Sequence, residues 1–269
     1  MKRIIFIFLL LVAGSAHGQI AAPLDVTASA PIRNSDGSAL PGNNPAAAEA
    51  GYTPIPGALV QILDVGVNGV ADLPALDGSP GGDDIVRYTT VLGQGIAPDV
   101  ADSGRFSTSF YPPPATGAKV YARIFNAPAV ASATHWGQSA SFVVTNVAVF
   151  DVSALGLGAT TQPKGSNPAT TDSDGDGQTD YVELVANTNP LDAGDRSGVA
   201  GYTGAIVSVA GRAGRAYTLL RTTDDLTSNP NWVTVQFVGV LGADANLLLS
   251  DPSPPATTKA FYRVRVTMP

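Results

Sequence analysis

Residues 119–125 read Lys119-Val120-Tyr121-Ala122-Arg123-Ile124-Phe125, and this stretch decides the fold class. Val120, Ala122 and Ile124 alternate with Tyr121, Arg123 and Phe125, the period of two that marks a half-buried strand. Comparable runs lie on either side, at 24–28, 59–63, 85–92, 105–110, 141–145 and 147–152. Each is short, rich in Val, Ile, Tyr, Phe or Thr, and bounded by Gly, Pro or Asp. Short strands with turn punctuation predict an antiparallel sandwich. Residues 19–50, rich in Ala, Pro, Asn and Ser, read as ordered loop around the first of these strands.

Further along, the pattern lapses over 154–171, where Gly156, Gly158, Pro163, Gly165 and Pro168 mark a linker. It resumes at 205–209, 217–221, 232–238, 246–249 and 261–266, enough strands for a second, smaller β-domain. The 29 glycines and 21 prolines beside 44% hydrophobic residues agree with many strands and turns and few helices.

The start of the chain bears on compartment. Lys2 and Arg3 precede an apolar run over 4–12, and Ala16 and Gly18 stand at the −3 and −1 positions of a cut before Gln19. That is the layout of a secretory signal peptide. The apolar run is about half the ~20 residues that a membrane-spanning helix needs. Export without a single cysteine means that the fold is held by packing, turns and any bound metal, not by disulfides. Removing Lys2 and Arg3 leaves 13 basic residues against 22 acidic ones. Such a surface repels nucleic acids and anionic lipids and attracts divalent cations.

One segment carries chemistry: Asp172-Ser173-Asp174-Gly175-Asp176-Gly177-Gln178-Thr179-Asp180-Tyr181-Val182-Glu183. Carboxylates stand at positions 1, 3, 5, 9 and 12 of a twelve-residue loop, with glycine at position 6. Calcium is a hard ion that wants six to eight oxygens. Asp172, Asp174 and Asp176 bring three carboxylates round one centre, and Gly177 permits the sharp turn. Gln178 offers its main-chain carbonyl, Asp180 a side chain directly or through water, and Glu183 both its oxygens. Residues 180–186 read as an exiting helix with Tyr181, Val182, Leu184 and Val185 on its apolar side. Pro163, Gly165 and Pro168 forbid an entering helix, so this is half of an EF-hand. The competing reading is an acidic flexible linker, since Asp and Gly are ordinary turn residues.

With the tail Asn187-Thr188-Asn189-Pro190-Leu191-Asp192, the segment resembles the thrombospondin type 3-like calcium repeats of secreted bacterial proteins. The resemblance covers 172–195 and implies that Asp192 or Asp195 completes the metal shell. The expected architecture is therefore all-β. Two antiparallel β-sandwich-like domains, 19–153 and 197–269, are joined by the linker 154–171 and a calcium loop with a short helix, 172–196.

Other signals are weaker. Asp64, Asn68, Asp72, Asp77, Asp83 and Asp84 lie among glycines at a spacing that fits no ligand rule, and a polar hairpin loop is expected. Together with 104–107 and 119–126, this stretch looks like a β-domain of large bacterial surface proteins. The tail block is similar to a small C-terminal β-module of secreted proteins. Trp232 and Tyr217 are read as core rather than as a sugar platform. Without its signal the chain has one histidine, His135, read with Trp136 as a partly buried loop pair, and its glutamates are Glu49 and Glu183. No Gly-x-Ser-x-Gly elbow or His-Glu metalloprotease pair appears. The expectation is a secreted, non-catalytic, calcium-binding structural or adhesive protein. The alternative is a carbohydrate-binding protein attaching to polysaccharide or to cell-surface components.

Overall fold

Lys119–Phe125 forms the middle of the largest sheet, but it is not half-buried: every residue from Val120 to Phe125 is enclosed. The computed structural model describes residues 22–42, 56–96, 104–145, 149–227, 229–256 and 259–268. The signal-peptide reading, the residues that follow it to 21, and Glu49 fall outside these.

The large sheet has six strands. Its order is Gln162–Pro163, His135–Gln138, Lys119–Phe125, Leu59–Asp64, Ile85–Val91, with Phe142–Val143 pairing the far end of Lys119–Phe125. Facing it is a three-stranded sheet of Ser107–Phe110, Leu24–Thr27 and Val149–Asp151. The last of these runs parallel to Leu24–Thr27. One core fills the space between the sheets: Leu24, Val26, Phe106 and Phe150 meet Val60, Ile62, Val120, Ala122 and Ile124. This is the expected sandwich, all β in class.

The opposite face of the large sheet is also covered, which alternation alone does not reveal. The acidic, glycine-rich connection 65–84 does join two antiparallel neighbours, as a hairpin loop should. It then folds back so that Val65, Ala71 and Leu73 pack on Leu63, Tyr121 and Phe125. Arg123 is fully buried there, over the rings of Tyr121 and Trp136 at 5.4 Å from each centroid. It donates to Gln138 Oε1 at 2.9 Å, to the Tyr121 hydroxyl at 2.9 Å and to the Asp72 carbonyl at 2.7 Å. A long cationic stem held by these acceptors and rings can cross an apolar layer, although its Nη1 is enclosed without an acceptor.

The segment 154–171 is not free chain. Ala159–Thr160 pairs with Arg33–Asn34, and Gln162–Pro163 pairs with Trp136 and His135. Its glycines and prolines hide strands too short to show a period. Gly137 lets this addition approach, because a Cβ there would stand 2.2 Å from the Ala159 carbonyl oxygen. Gly137→Ala is expected to cost about 2 kcal/mol through forced separation of the strands, read as a lower urea midpoint at unchanged slope.

The second sandwich packs Val199–Thr203, Ile206–Gly211 and Ala245–Ser250 against Val233–Val238, Ala216–Thr222 and Phe261–Thr267. Its core holds Val207, Val209, Tyr217, Leu219 and Leu249. Tyr217 is core, as the sequence implies. Trp232 is only half-buried, its ring covered by the Arg263 guanidinium 4.2 Å from the centroid. Five strands are legible in the sequence; the sixth, Val199–Thr203, contains a glycine and a bulge that break its pattern.

Candidate metal centre

The acidic loop is ordered by its own carboxylates before any ion is considered. Asp172 accepts from the backbone amides of Gly175 at 2.8 Å and Gly177 at 3.0 Å. Asp174 accepts from the Asp176 amide at 3.1 Å, and Asp176 from the Gln178 amide at 2.7 Å. Gly175 and Gly177 sit at φ 78° and 94°, a left-handed backbone that side chains resist. The chain thereby coils so that carboxylate oxygens of Asp172, Asp174 and Asp176 lie within 4.8 Å of one another.

The helix Asp180–Ala186 follows, with the bounds expected from the sequence. Thr179 caps its first turn by accepting from the Val182 amide at 3.4 Å. The preceding segment adds two carbonyls, Thr171 to the Asp180 amide at 2.8 Å and Pro168 to the Tyr181 amide at 3.0 Å. The face turned inward is Asp180, Glu183, Leu184 and Ala186, while Tyr181 and Val182 are exposed. The apolar side read from the sequence is thus misplaced by part of a turn. Leu184 enters a cluster with Phe125, Ala133 and Trp136, which fixes the helix against the first sandwich.

Burial of Glu183 is the telling feature. Its side chain is fully enclosed and neither carboxylate oxygen has a hydrogen-bond partner. Asp174 Oδ2 and Asp176 Oδ2 are likewise enclosed and unpartnered. An orphaned buried carboxylate is costly. Burial, followed by the charges of Asp174, Asp176, Asp180 and Asp172, pushes the Glu183 carboxyl from the ordinary 4.5 up to about 8. Four enclosed oxygens without donors, two of them on the converging Asp174 and Asp176, suit a hard cation, although Glu183 itself stands outside the group whose oxygens lie within 4.8 Å of one another.

The remaining sequence-derived candidates are engaged elsewhere. Both Asp180 oxygens accept from Ser173, Oδ1 from its amide at 2.9 Å and Oδ2 from its hydroxyl at 2.8 Å, so this buried residue ties the loop entrance to the helix. The Gln178 side chain reaches Ser197, donating to its carbonyl at 2.8 Å and accepting from its hydroxyl at 2.8 Å. Asp192 accepts from the Gly194 amide at 3.0 Å. Asp195 pairs with Arg212 and accepts from the Asn189 amide. Neither Asp192 nor Asp195 joins the group formed by Asp172, Asp174 and Asp176.

The sequence gives no hint of Arg215. Fully buried, it opens a strand of the second sandwich and donates from Nε to the Val185 carbonyl and from Nη2 to the Leu184 carbonyl, each at 2.6 Å. These are carbonyls that the end of a helix leaves without partners. Asn187, in the left-handed conformation at φ 61°, closes the helix and donates from Nδ2 to the Ala213 carbonyl at 3.3 Å. The only available signal was an arginine at the mouth of an apolar strand.

A twelve-residue loop with three converging carboxylates, followed by a helix and preceded by none, has the layout of half an EF-hand and could hold a hard cation. Residues 172–193 match the family model of the bacterial TSP3 repeat, a repeat of calcium-binding extracellular proteins. The match spans the loop, the helix and its tail, and leaves both β-sandwiches outside it. No curated protein and no solved structure matches the chain.

The titration of Glu183 has a measurable consequence. Its folded value of about 8 lies above the ordinary 4.5, so without metal the folded state holds the proton more tightly than the unfolded one. The resulting stabilisation is complete below about pH 4.5 and is lost as pH rises through about 8. In chelator the melting temperature is expected to fall across that window. With saturating calcium the decline is expected to flatten, because the ion replaces the proton. Parallel thermal scans in the two conditions check it.

Proposed function

We infer that this chain is an exported, non-catalytic structural protein of the bacterial surface or extracellular space, in which calcium stiffens the joint between two β-sandwiches. The observation that carries the reading is the position of Glu183. Its orphaned carboxylate lies under the charges of Asp174 and Asp176, while the next two residues give their carbonyls to Arg215 of the second sandwich. Leu184, between these contacts, is packed into the first sandwich. An ion that fixes Glu183 therefore fixes a helix that both domains hold. No helix among the described residues is long and apolar enough to cross a membrane.

An extracellular calcium loop typically has a dissociation constant of ~10⁻⁴ to 10⁻³ M. Calcium outside a cell keeps such a site filled, which suits a permanent brace. At ten times that constant the ion adds about 1.4 kcal/mol to the folded state. For a chain of this size that is about 3–6 °C in melting temperature. Calcium titration followed by thermal unfolding tests the reading; a melting temperature that ignores chelation would sink it.

The polysaccharide-binding alternative calls for a row of exposed aromatic rings. Trp136 is buried and Trp232 lies beneath Arg263. Among the described residues the well-exposed rings Tyr111, Tyr202 and Phe237 sit in three separate sheets or loops. This scatter favours the scaffold reading. Catalysis is disfavoured by the same sparseness of chemistry. His135 lies in a strand, not a loop, and its ring accepts or donates only to Thr134, with burial holding it below the usual histidine range.

A further inference from the structure

A second set of carboxylates converges far from the repeat, in the connection 65–84. Oxygens of Asp72, Asp83 and Asp84 lie within 4.8 Å of one another. One oxygen of each is already used in shaping the loop. Asp84 Oδ2 accepts from the Asp72 amide at 2.8 Å and the Tyr121 hydroxyl at 2.6 Å. Asp83 Oδ2 accepts from the amides of Val67 at 2.7 Å and Asn68 at 3.1 Å. Asp72 Oδ2 accepts from the Asp83 amide at 3.3 Å and from Asn68 Nδ2 at 3.1 Å.

The other oxygens are the informative ones. Asp84 is 7% exposed, and its Oδ1 is shut off from solvent with no donor. Asp83 Oδ1 is in the same condition. A loop that supplies amides so freely to the Oδ2 atoms of this cluster supplies none to Asp83 Oδ1 or Asp84 Oδ1. The charge also does not close: three carboxylates stand against one buried guanidinium, Arg123, which reaches them through Tyr121 and the Asp72 carbonyl. That leaves a formal charge of −2 beside a low-dielectric layer. The backbone is cut away to make room, since a Cβ on Gly82 would stand 1.8 Å from Asp72 Oδ2 and one on Gly66 2.4 Å from Asp83 Cγ.

We propose that Asp72, Asp83 and Asp84 form a second binding site for a hard divalent cation, calcium in the extracellular setting. Its donors are oxygens alone, the ligand set that calcium and magnesium share. A cluster of three carboxylates without a fixed octahedral frame suits the larger ion, whose coordination geometry is tolerant. The ion neutralises the cluster and pins the loop over Tyr121 and Arg123, so it braces the first sandwich internally and is independent of the joint. The choice of calcium rests on the extracellular reading above; the site itself rests on Asp72, Asp83 and Asp84 alone.

Equilibrium dialysis of the full chain against calcium counts the sites. Two ions per chain are expected, falling to one in Glu183→Gln, to one in Asp83→Asn, and to none in the double variant. A count of one that Glu183→Gln takes to zero overturns this second site and leaves the repeat intact. A count of one that survives Glu183→Gln and is lost in Asp83→Asn supports the second site and overturns the reading of the repeat. The opposite case, a cluster that holds a shared proton in place of a metal, gives that single-ion count with Asp83→Asn unchanged and also overturns the proposal. Should Asp83→Asn not fold, terbium in the Glu183→Gln chain decides: its luminescence is expected through the Tyr121 phenol and to drop in Tyr121→Phe. Absence of sensitised emission counts against the site.

Discussion

Glu183→Gln is expected to weaken calcium binding at the repeat by at least ~100-fold, more than the 10- to 100-fold that outer-shell substitutions cost. The glutamate at position 12 supplies two oxygens where other positions supply one. Here those two oxygens are enclosed and have no other partner, so nothing else in the loop substitutes for them. The same change has the opposite sign without metal. Wild-type apo protein at pH 8 must either keep a proton on Glu183 or tolerate its charge beside Asp174 and Asp176. The neutral amide removes that conflict. The variant in chelator is therefore expected to melt above the wild type at pH 8 and level with it near pH 4.5, where both are uncharged. Calorimetric titration gives the affinity and thermal scans at the two pH values give the crossover. A variant that lowers stability equally at both would mean that Glu183 is a packing residue.

Arg215→Met is expected to lower stability by about 3 kcal/mol, since each orphaned buried carbonyl costs roughly 1–3 kcal/mol and Met restores only the apolar stem. In a chain of this length that is about 6–12 °C in melting temperature. The loss falls on the Leu184 and Val185 carbonyls, which accept from the guanidinium at 2.6 Å. Calcium affinity is expected to fall as well, by about tenfold, because the helix that carries Glu183 loses the group that orients it. Thermal melting and calcium titration on one preparation measure both effects. An unchanged affinity beside a lowered melting temperature would separate the joint from the site.

What the sequence disclosed follows from range. Lys119–Phe125 and the helix Asp180–Ala186 are legible because their patterns are local: alternation in the one, and its place at the exit of the twelve-residue acidic loop in the other. The three aspartates at 172, 174 and 176 are legible because their regular spacing along one short coil brings their carboxylates together. By contrast, nothing within a few residues of Asp180 says that Ser173 will occupy both its oxygens. Arg123 reads as the solvent side of a strand because the loop that covers it begins some fifty residues earlier in the chain, near Asp72. The strands Ala159–Thr160 and Gln162–Pro163 are two residues each, shorter than any period, and are made by their partners. Arg215 is silent for the same reason: its role depends on a helix end supplied by a different part of the molecule.

The short helix is finished by groups from two directions, with Pro168 and Thr171 at one end and Arg215 at the other. Cutting the chain just behind the repeat would strip the Leu184 and Val185 carbonyls of their donor. Transplanting the repeat alone into another protein would move the ion ligands but leave both of its anchors behind. In this chain the cassette is consequently not interchangeable: its neighbours on either side must be inherited with it.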